Sequence, residues 1–401
     1  MMAAISAAEY GAQVVLLERN DRFGKKLRIT GKGRCNVTND CDLQEFLSNV
    51  PTNPRFLYAA LSSFSTEDTK AFFEDLGVPL KTERGKRVFP VSDKAGDIVA
   101  AMERRCRTLG VEMIHARVRE LWMENGTLRG VRTEQGDLEA DSVILCTGGK
   151  SYPTTGSGGD GYRMAEQAGH TVTPLAPSLI PLVSRGKLCA SMQGLSLKNI
   201  RISFAECSTG RSVYEDFGEL LFTHFGLSGP TILSASAHLS DVTDGKYEAR
   251  IDLKPALDEK KLDVRLLSDF AKYRNRDFAN ALGDLLPQKM IEPFIGLCGI
   301  DPRKKVNSIT KEEREQIVRN LKCMRIPLHG VRPIEEAIIT RGGVSVKEVS
   351  PKTMESKLTK GLFFAGELLD VDAYTGGFNL QIAFSTAVLA GHSAAMQGAE
   401  D

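Results

Sequence analysis

Glycines and a carboxylate near one end of the chain are spaced to work on an anionic or electron-rich ligand. In Gly361-Leu-Phe-Phe-Ala-Gly366-Glu367 an apolar strand ends in Gly-Glu, Gly376-Gly377 then make a turn, and the small-residue run Ile382 to Ala395 reads as a helix. A turn of that kind aims the unsatisfied N–H groups of a helix N-terminus at negative charge. At the other end, Ala12-Gln-Val-Val-Leu-Leu-Glu18 reads as a strand whose terminal carboxylate can accept hydrogen bonds from a ribose. The two ends are expected to meet around one dinucleotide.

The elements that must position these groups follow from the pattern. Glu18 sits where a Rossmann unit, built as strand, Gly-x-Gly-x-x-Gly turn, helix, strand and acid, places its ribose ligand. Met1 to Tyr10 reads as that unit's helix, stopped by Gly11. The first strand and the phosphate-cradling turn, roughly fifteen residues, are therefore expected upstream of Met1. An ordinary amphipathic starting helix is the competing reading, and the acidic strand end argues against it. The stretch Arg19 to Asn39 combines Gly24, Gly31 and Gly33 with Lys25, Lys26, Arg28 and Arg34, and closes on Asn36, Thr38 and Asn39. Glycine lets backbone approach a ligand and the cations balance phosphate; a solvated basic loop is the bland alternative.

Composition excludes more than it identifies. A chain of 401 residues suggests two or three domains, and 42% hydrophobic with 26% charged residues is globular usage. A formal charge of +1 gives no reason to expect nucleic acid or an anionic membrane as partner. No apolar run reaches the roughly 20 residues of a spanning helix, so the cytoplasm is the expected compartment. The eight cysteines lack C-x-x-C pairing, against zinc and thioredoxin-like sites; no metal is expected. Cys35 and Cys41, with five residues between them, are read as buried thiols before they are read as a redox pair.

From Pro54 to Gly110 the pattern is helical, with Ser65 capping a helix that stops at Gly77. Val111–Trp122 and Leu128–Thr133 alternate as strands joined through Asn125-Gly126. A strand from Asp141 ends in Thr147-Gly148-Gly149, and the glycine-rich turn 155–161 opens the helix Tyr162 to Gly169. Short alternating strands fill the region from about Leu182 to Asp252, and charged helices the region from about Ser268 to Cys323. The expected class is α/β, with a discontinuous cofactor domain, 1–181 and 333–401, and an inserted domain, 182–332, made of a small β-barrel part plus a helical part.

Five segments in order make the chain resemble the BaiN-like flavoproteins, a bacterial group that includes aminoacetone oxidase relatives. They are Ile29 to Asn39, Leu221-Phe-Thr-His224-Phe-Gly-Leu-Ser-Gly-Pro230, Thr340-Arg-Gly-Gly-Val344, Thr353-Met-Glu-Ser356, and Gly361 to Glu367 continued through Gly376 to Gln381. The resemblance covers nearly the full length and implies a two-dinucleotide-binding-domain flavoprotein holding FAD. It implies that Val118 holds the adenine through its backbone and that Cys35 lines the flavin pocket. The candidate FAD residues are Glu18, Arg19, Lys26, Gly31, Arg34, Asn36, Thr38, Val118, Thr147, Gly148, Gly149, Gly366, Glu367, Asp372, Gly376, Gly377, Asn379, Leu380 and Gln381. The chain departs from its relatives in the absent glycine turn and at Ala373-Tyr374, where they usually place Gly and a polar residue.

A flavin carries the electrons, so the protein need supply only position, electrostatics and a proton. The helix N-termini near Gly148 and Gly377 could stabilise negative charge on a reduced ring, with Asn36, Asn379 and Gln381 at its edges. For reduction of an activated C=C the proton donor is His224, Tyr374 or Tyr152, and the sequence does not choose among them. The resemblance implies NAD(P)H-dependent reduction of a 3-oxo-Δ4 or 3-oxo-Δ4,6 bile-acid intermediate, a small-molecule substrate. Amine oxidation of the aminoacetone type and a flavin-free scaffold are the alternatives. NADH or NADPH is expected to bind transiently at the flavin face; oligomeric state is left open.

Overall fold

The computed structural model describes residues 1–398. The chain divides into two compact units, one formed by Met1–Ser178 together with the segment from Ile334 on, the other by Leu179–Pro333.

The first unit is organised by two helices of small side chains. In the helix Met2–Glu9, residues Met2 to Ala7 are all buried, and it packs on the last helix, Phe378–Gln397. The approach is close because Gly391 has no side chain: a Cβ there would stand 2.4 Å from the Ala3 carbonyl oxygen. Ser6 Oγ donates to the Val388 carbonyl at 2.8 Å, so the one polar side chain buried in the first helix is satisfied. Two parallel strand pairs accompany these helices, Val15–Glu18 with Glu112–His115 and Val143–Leu145 with Leu362–Phe364. Leu362, Phe363 and Phe364 are fully buried, the continuous apolar run that a covered parallel strand requires.

The hairpin read at Asn125-Gly126 is present, with both residues in the left-handed region (φ 51° and 80°), as a type I′ turn demands. A third strand, Gly136–Glu139, extends it to a meander. Ser65 caps the helix Thr66–Asp75 in a reciprocal box with Asp68. Two readings change. The stretch 111–122 is two strands, Glu112–His115 in the parallel pair and Val118–Glu124 in the meander, because the chain leaves one sheet for the other at Ala116-Arg117. Within 54–110, residues Leu80–Glu83 and Arg87–Pro90 form a hairpin, not helix; Gly85 and Lys86 both adopt positive φ at its tip.

The second unit holds a closed six-stranded barrel. Around it run Leu182–Ser184, Gly226–Ser228, Ser212–Phe222, Ser196–Glu206, Tyr247–Asp252 and Met324–Val331, the last pairing back to the first. Alternation fills the interior: Ile200, Ile202 and Phe204 point in, while Arg201 is exposed between them. Closure leaves no open strand edge to attract other chains. The helices Glu259–Lys272, Gln288–Cys298 and Lys311–Lys322 bury Leu262, Leu266, Phe294, Ile317 and Leu321 in the same apolar core.

Gly377 shows how tightly the C-terminal turn is built. It begins the last helix at φ 102°, and a Cβ would meet the Thr38 carbonyl oxygen and carbon at 2.3 and 2.4 Å. The glycine makes room for main chain from the other end of the sequence. Gly377→Val should therefore cost about 3 kcal/mol or more, since backbone overlap adds to left-handed strain. Thermal unfolding checks this, and a variant melting like the wild type would mean that the turn can move aside.

Candidate active site

Four segments distant in sequence converge on one carboxylate. Glu367 follows the buried strand Leu362–Phe364, in a single 3-10 turn started by Gly366 at φ 74°. Its Oε2 accepts from Lys26 Nζ at 2.5 Å. Its Oε1 accepts from the Thr340 backbone N–H at 2.8 Å and from Ser151 Oγ at 3.1 Å. Lys26 Nζ also donates to Ser151 Oγ at 2.8 Å, and Thr340 Oγ1 accepts from the Lys150 and Ser151 amides. Gly149 lies against this cluster: a Cβ would stand 2.5 Å from Thr340 Oγ1 and 2.7 Å from Glu367 Oε1. Lys26 and Glu367 are 24% and 18% exposed, so the pair is screened less than a surface pair.

The other candidates divide by how fully the protein satisfies them. Gln381 is fully buried; its Oε1 accepts from Thr38 Oγ1 at 2.6 Å, and its amide donates to Phe64 O, Ser65 O and Ser385 Oγ. Asn379 bridges Ala373 and Tyr374, whose loop it fixes. Asn39 donates to the Gly376 carbonyl at 3.0 Å. These side chains set the shape of the C-terminal turn. Leu380 is partly buried on the same helix. Arg34 lies over Phe89 at 4.1 Å and pairs with Glu83 and Asp93, so it holds the 80–90 hairpin; Gly31, at φ 56°, leaves room for the Asn36 amide. Arg19 pairs with Asp160 at 2.9 Å, which Arg117 also grips. Burial works against the charge on Asp160, but the two guanidiniums outweigh it and hold its pKa below the usual carboxylate value. Glu18 accepts from the backbone and side chain of Asn20, and Val118 opens the meander strand, paired with Thr133.

Three candidates are not satisfied. Five buried side-chain polar atoms among the described residues lack a hydrogen-bond partner, and Asn36 Oδ1, Thr147 Oγ1 and Asp372 Oδ1 are three of them. The other Asp372 oxygen accepts from Ser178 Oγ at 2.9 Å, in a residue only 1% exposed. An orphaned buried polar atom costs about 1–3 kcal/mol, so each of these three candidate residues would gain from a further hydrogen bond. Gly148, at φ 73°, sits one residue from Thr147.

Of the three proton-donor candidates, Tyr374 and Tyr152 belong to the first unit and His224, exposed beside Phe225, to the second. Burial, helped by the nearby Asp372 charge, raises the Tyr374 pKa, so its phenol keeps its proton through neutral pH. Tyr152 is held at φ 49° by the turn after Ser151. The Cys35 thiol is fully buried and burial pushes its pKa up to about 12, which suppresses thiolate chemistry; all eight cysteines are free. Among the described residues no group of side chains is arranged to hold a metal, and no helix is long and apolar enough to cross a membrane. Sequence reasoning passed over Ser151 and the tie of Thr340 to Glu367. The only local signal was a hydroxyl following the Gly148-Gly149 turn.

With this geometry in view, the comparisons place the chain. It matches the HI0933-like protein Rossmann domain over residues 1–393, and it belongs to that family. It is 31% identical over 403 residues to the 3-dehydro-bile acid delta(4,6)-reductase of Clostridium scindens, covering 98% of this chain and 96% of the relative. It is 28% identical over 396 residues to the ribosomal RNA dihydrouridine synthase of Escherichia coli K12, covering 96% and 93%. In fold it is similar to E. coli quinol fumarate reductase FrdA, at TM-score 0.51 and 16% identity over 99% of this chain and 69% of that one. It is also similar to a 3-ketosteroid delta1-dehydrogenase from Sterolibacterium denitrificans, at TM-score 0.50 and 11% identity over 99% and 97%. The chain is an FAD-dependent oxidoreductase with a Rossmann-like FAD domain.

The carboxylate cluster predicts a measurable coupling. Lys26→Met leaves a partly buried carboxylate without its cation, and Glu367→Gln leaves the ammonium without its anion. The losses from the two single changes should sum to more than the loss in the double variant, with a coupling of about 1–3 kcal/mol in thermal or denaturant unfolding. Strict additivity would mean that the pair acts independently.

Proposed function

We propose that the chain uses FAD to reduce a carbon–carbon double bond conjugated to a carbonyl, with NADH or NADPH as electron donor. The observation that carries this reading is the relative named for delta(4,6) reduction of 3-dehydro bile acids, matched along 98% of this chain. The relatives named for dihydrouridine synthesis point the same way chemically, because the C5=C6 bond of uridine is also conjugated to a carbonyl. When bound, FAD supplies the hydride chemistry.

The chain's own groups fit that cofactor. Asn36, Thr147 and Asp372 offer it the buried polar atoms that the protein leaves unpaired. Glu18 offers a carboxylate for a ribose, Val118 offers backbone for an adenine, and the turn at Gly148 offers main chain for close approach. The Lys26–Glu367 pair and Ser151 keep the surrounding segments fixed. Reduction delivers hydride to the β carbon and a proton to the α carbon. Tyr374 is assigned the proton step because it is half-buried in a first-unit loop whose backbone Asn379 fixes.

A steroid enone such as a 3-oxo-Δ4,6 bile acid is the first substrate reading. A uridine within RNA is the second, and the cationic loops of the second unit favour it. Under anaerobic conditions NADH should bleach the flavin absorbance of the purified protein, and a conjugated enone should restore it. Tyr374→Phe should slow that restoration about a hundredfold. Restoration by a uridine-containing RNA but not by the enone would select the second substrate. Oxygen consumption with aminoacetone, and no reoxidation by either C=C acceptor, would overturn the proposal in favour of amine oxidation.

A further inference from the structure

Charge is unevenly divided in a chain whose total is nearly zero. Residues 179–333 carry 24 Lys and Arg against 19 Asp and Glu, a net of +5, while the remainder carries 28 against 32, a net of −4. Within the second unit the excess is gathered in two short stretches, Lys272-Tyr-Arg-Asn-Arg276 and Pro302-Arg-Lys-Lys-Val306, with six cations and no carboxylate in ten residues.

The fold sets these stretches side by side. The Val306 amide donates to the Arg276 carbonyl at 3.1 Å, the Phe278 amide to Lys304 at 2.9 Å, and Asp277 and Lys305 form an antiparallel bridge. Phe278 and Val306 are buried beneath, so the platform is anchored in the core of the unit. On its outer side Arg274, Asn275, Arg276, Arg303 and Lys305 are exposed. Lys272, Lys304 and Lys305 have carboxylate partners in Asp284, Glu313 and Asp277. The side chains of Arg274 and Arg303 make no ion pair or hydrogen bond among the described residues. Tyr273 carries two cations against its ring, Lys272 Nζ and Arg276 Cζ, each 4.7 Å from the centroid.

We infer that this platform is a docking surface for the sugar-phosphate backbone of RNA. The step rests on the second substrate reading above, and it names the part of the molecule that would hold such a substrate. Guanidiniums left without carboxylates match phosphate in charge and geometry, and release of condensed counterions gives the binding energy. A membrane fits less well: Val306 is buried, and neither stretch exposes an aliphatic or aromatic wedge for a bilayer. The surface reads no sequence by itself, since phosphate contacts position a nucleic acid and do not specify it.

The test uses the full-length, FAD-loaded protein and a short fluorescent RNA hairpin, with anisotropy followed between about 50 and 200 mM salt. The wild type should bind with an affinity that falls at least tenfold across that range. The double variant Arg274→Glu/Arg303→Glu should bind at least tenfold more weakly and with a shallower salt dependence. Arg201→Glu, an exposed change on a barrel strand, should alter binding less than twofold. Melting temperature and flavin content of the double variant, matched to the wild type, separate lost docking from lost folding. Equal RNA binding by the double variant and the wild type would overturn the inference, as would binding to anionic vesicles but not to RNA. Docking that follows these variants, in a protein that reduces no uridine, would uphold the surface and reject the second substrate reading.

Discussion

The first unit depends on one carboxylate having partners that the local sequence cannot supply. Glu367 meets Lys26, 341 residues earlier, as well as Ser151 and the Thr340 amide. A partly buried carboxylate without such partners would lose several kcal/mol through desolvation. The four segments therefore assemble together, and three of them carry residues proposed above for the cofactor: Gly148 and Gly149 before Ser151, Gly366 before Glu367, Asn36 after Lys26.

The glycines work with that constraint. Gly149 leaves room for the Thr340 hydroxyl and the Glu367 carboxylate, Gly377 for the Thr38 backbone, and Gly391 for the Ala3 carbonyl. In each case the close neighbour comes from a distant part of the chain. What looked in the sequence like a turn made for a ligand is equally a turn made for main-chain contact between the two ends. Both demands favour glycine, and the contact with Thr38 is the one that the geometry displays.

Local rules were legible where the physics is local. The Ser65 capping box, the Asn125-Gly126 turn and the helix opened by Gly377 follow from side-chain caps and left-handed glycines within a few residues. The α/β class with an inserted barrel followed from the switch to short alternating strands after Leu182. The hairpin at 80–90 was hidden because its tip, Arg84-Gly85-Lys86, lies in a charged stretch between convincing helices. For the candidate site, the segments were legible from their glycines and hydroxyls, but the pairings were not. Nothing near Arg34 announces Glu83 and Asp93, and nothing near Gln381 announces Thr38. Such contacts are set by packing between elements far apart in sequence, which periodicity does not encode.

Bile-acid enones and uridine share one reactive feature, a C=C polarised by a carbonyl, so a single flavin site can serve relatives with very different substrates. The central claim is that the first unit holds FAD through the polar atoms it leaves unpaired. A structure of the protein with FAD bound tests it directly. Cofactor atoms should lie within hydrogen-bond distance, about 3.2 Å, of Asn36 Oδ1 and Thr147 Oγ1. Flavin bound elsewhere, with both atoms still unpartnered, would contradict the account.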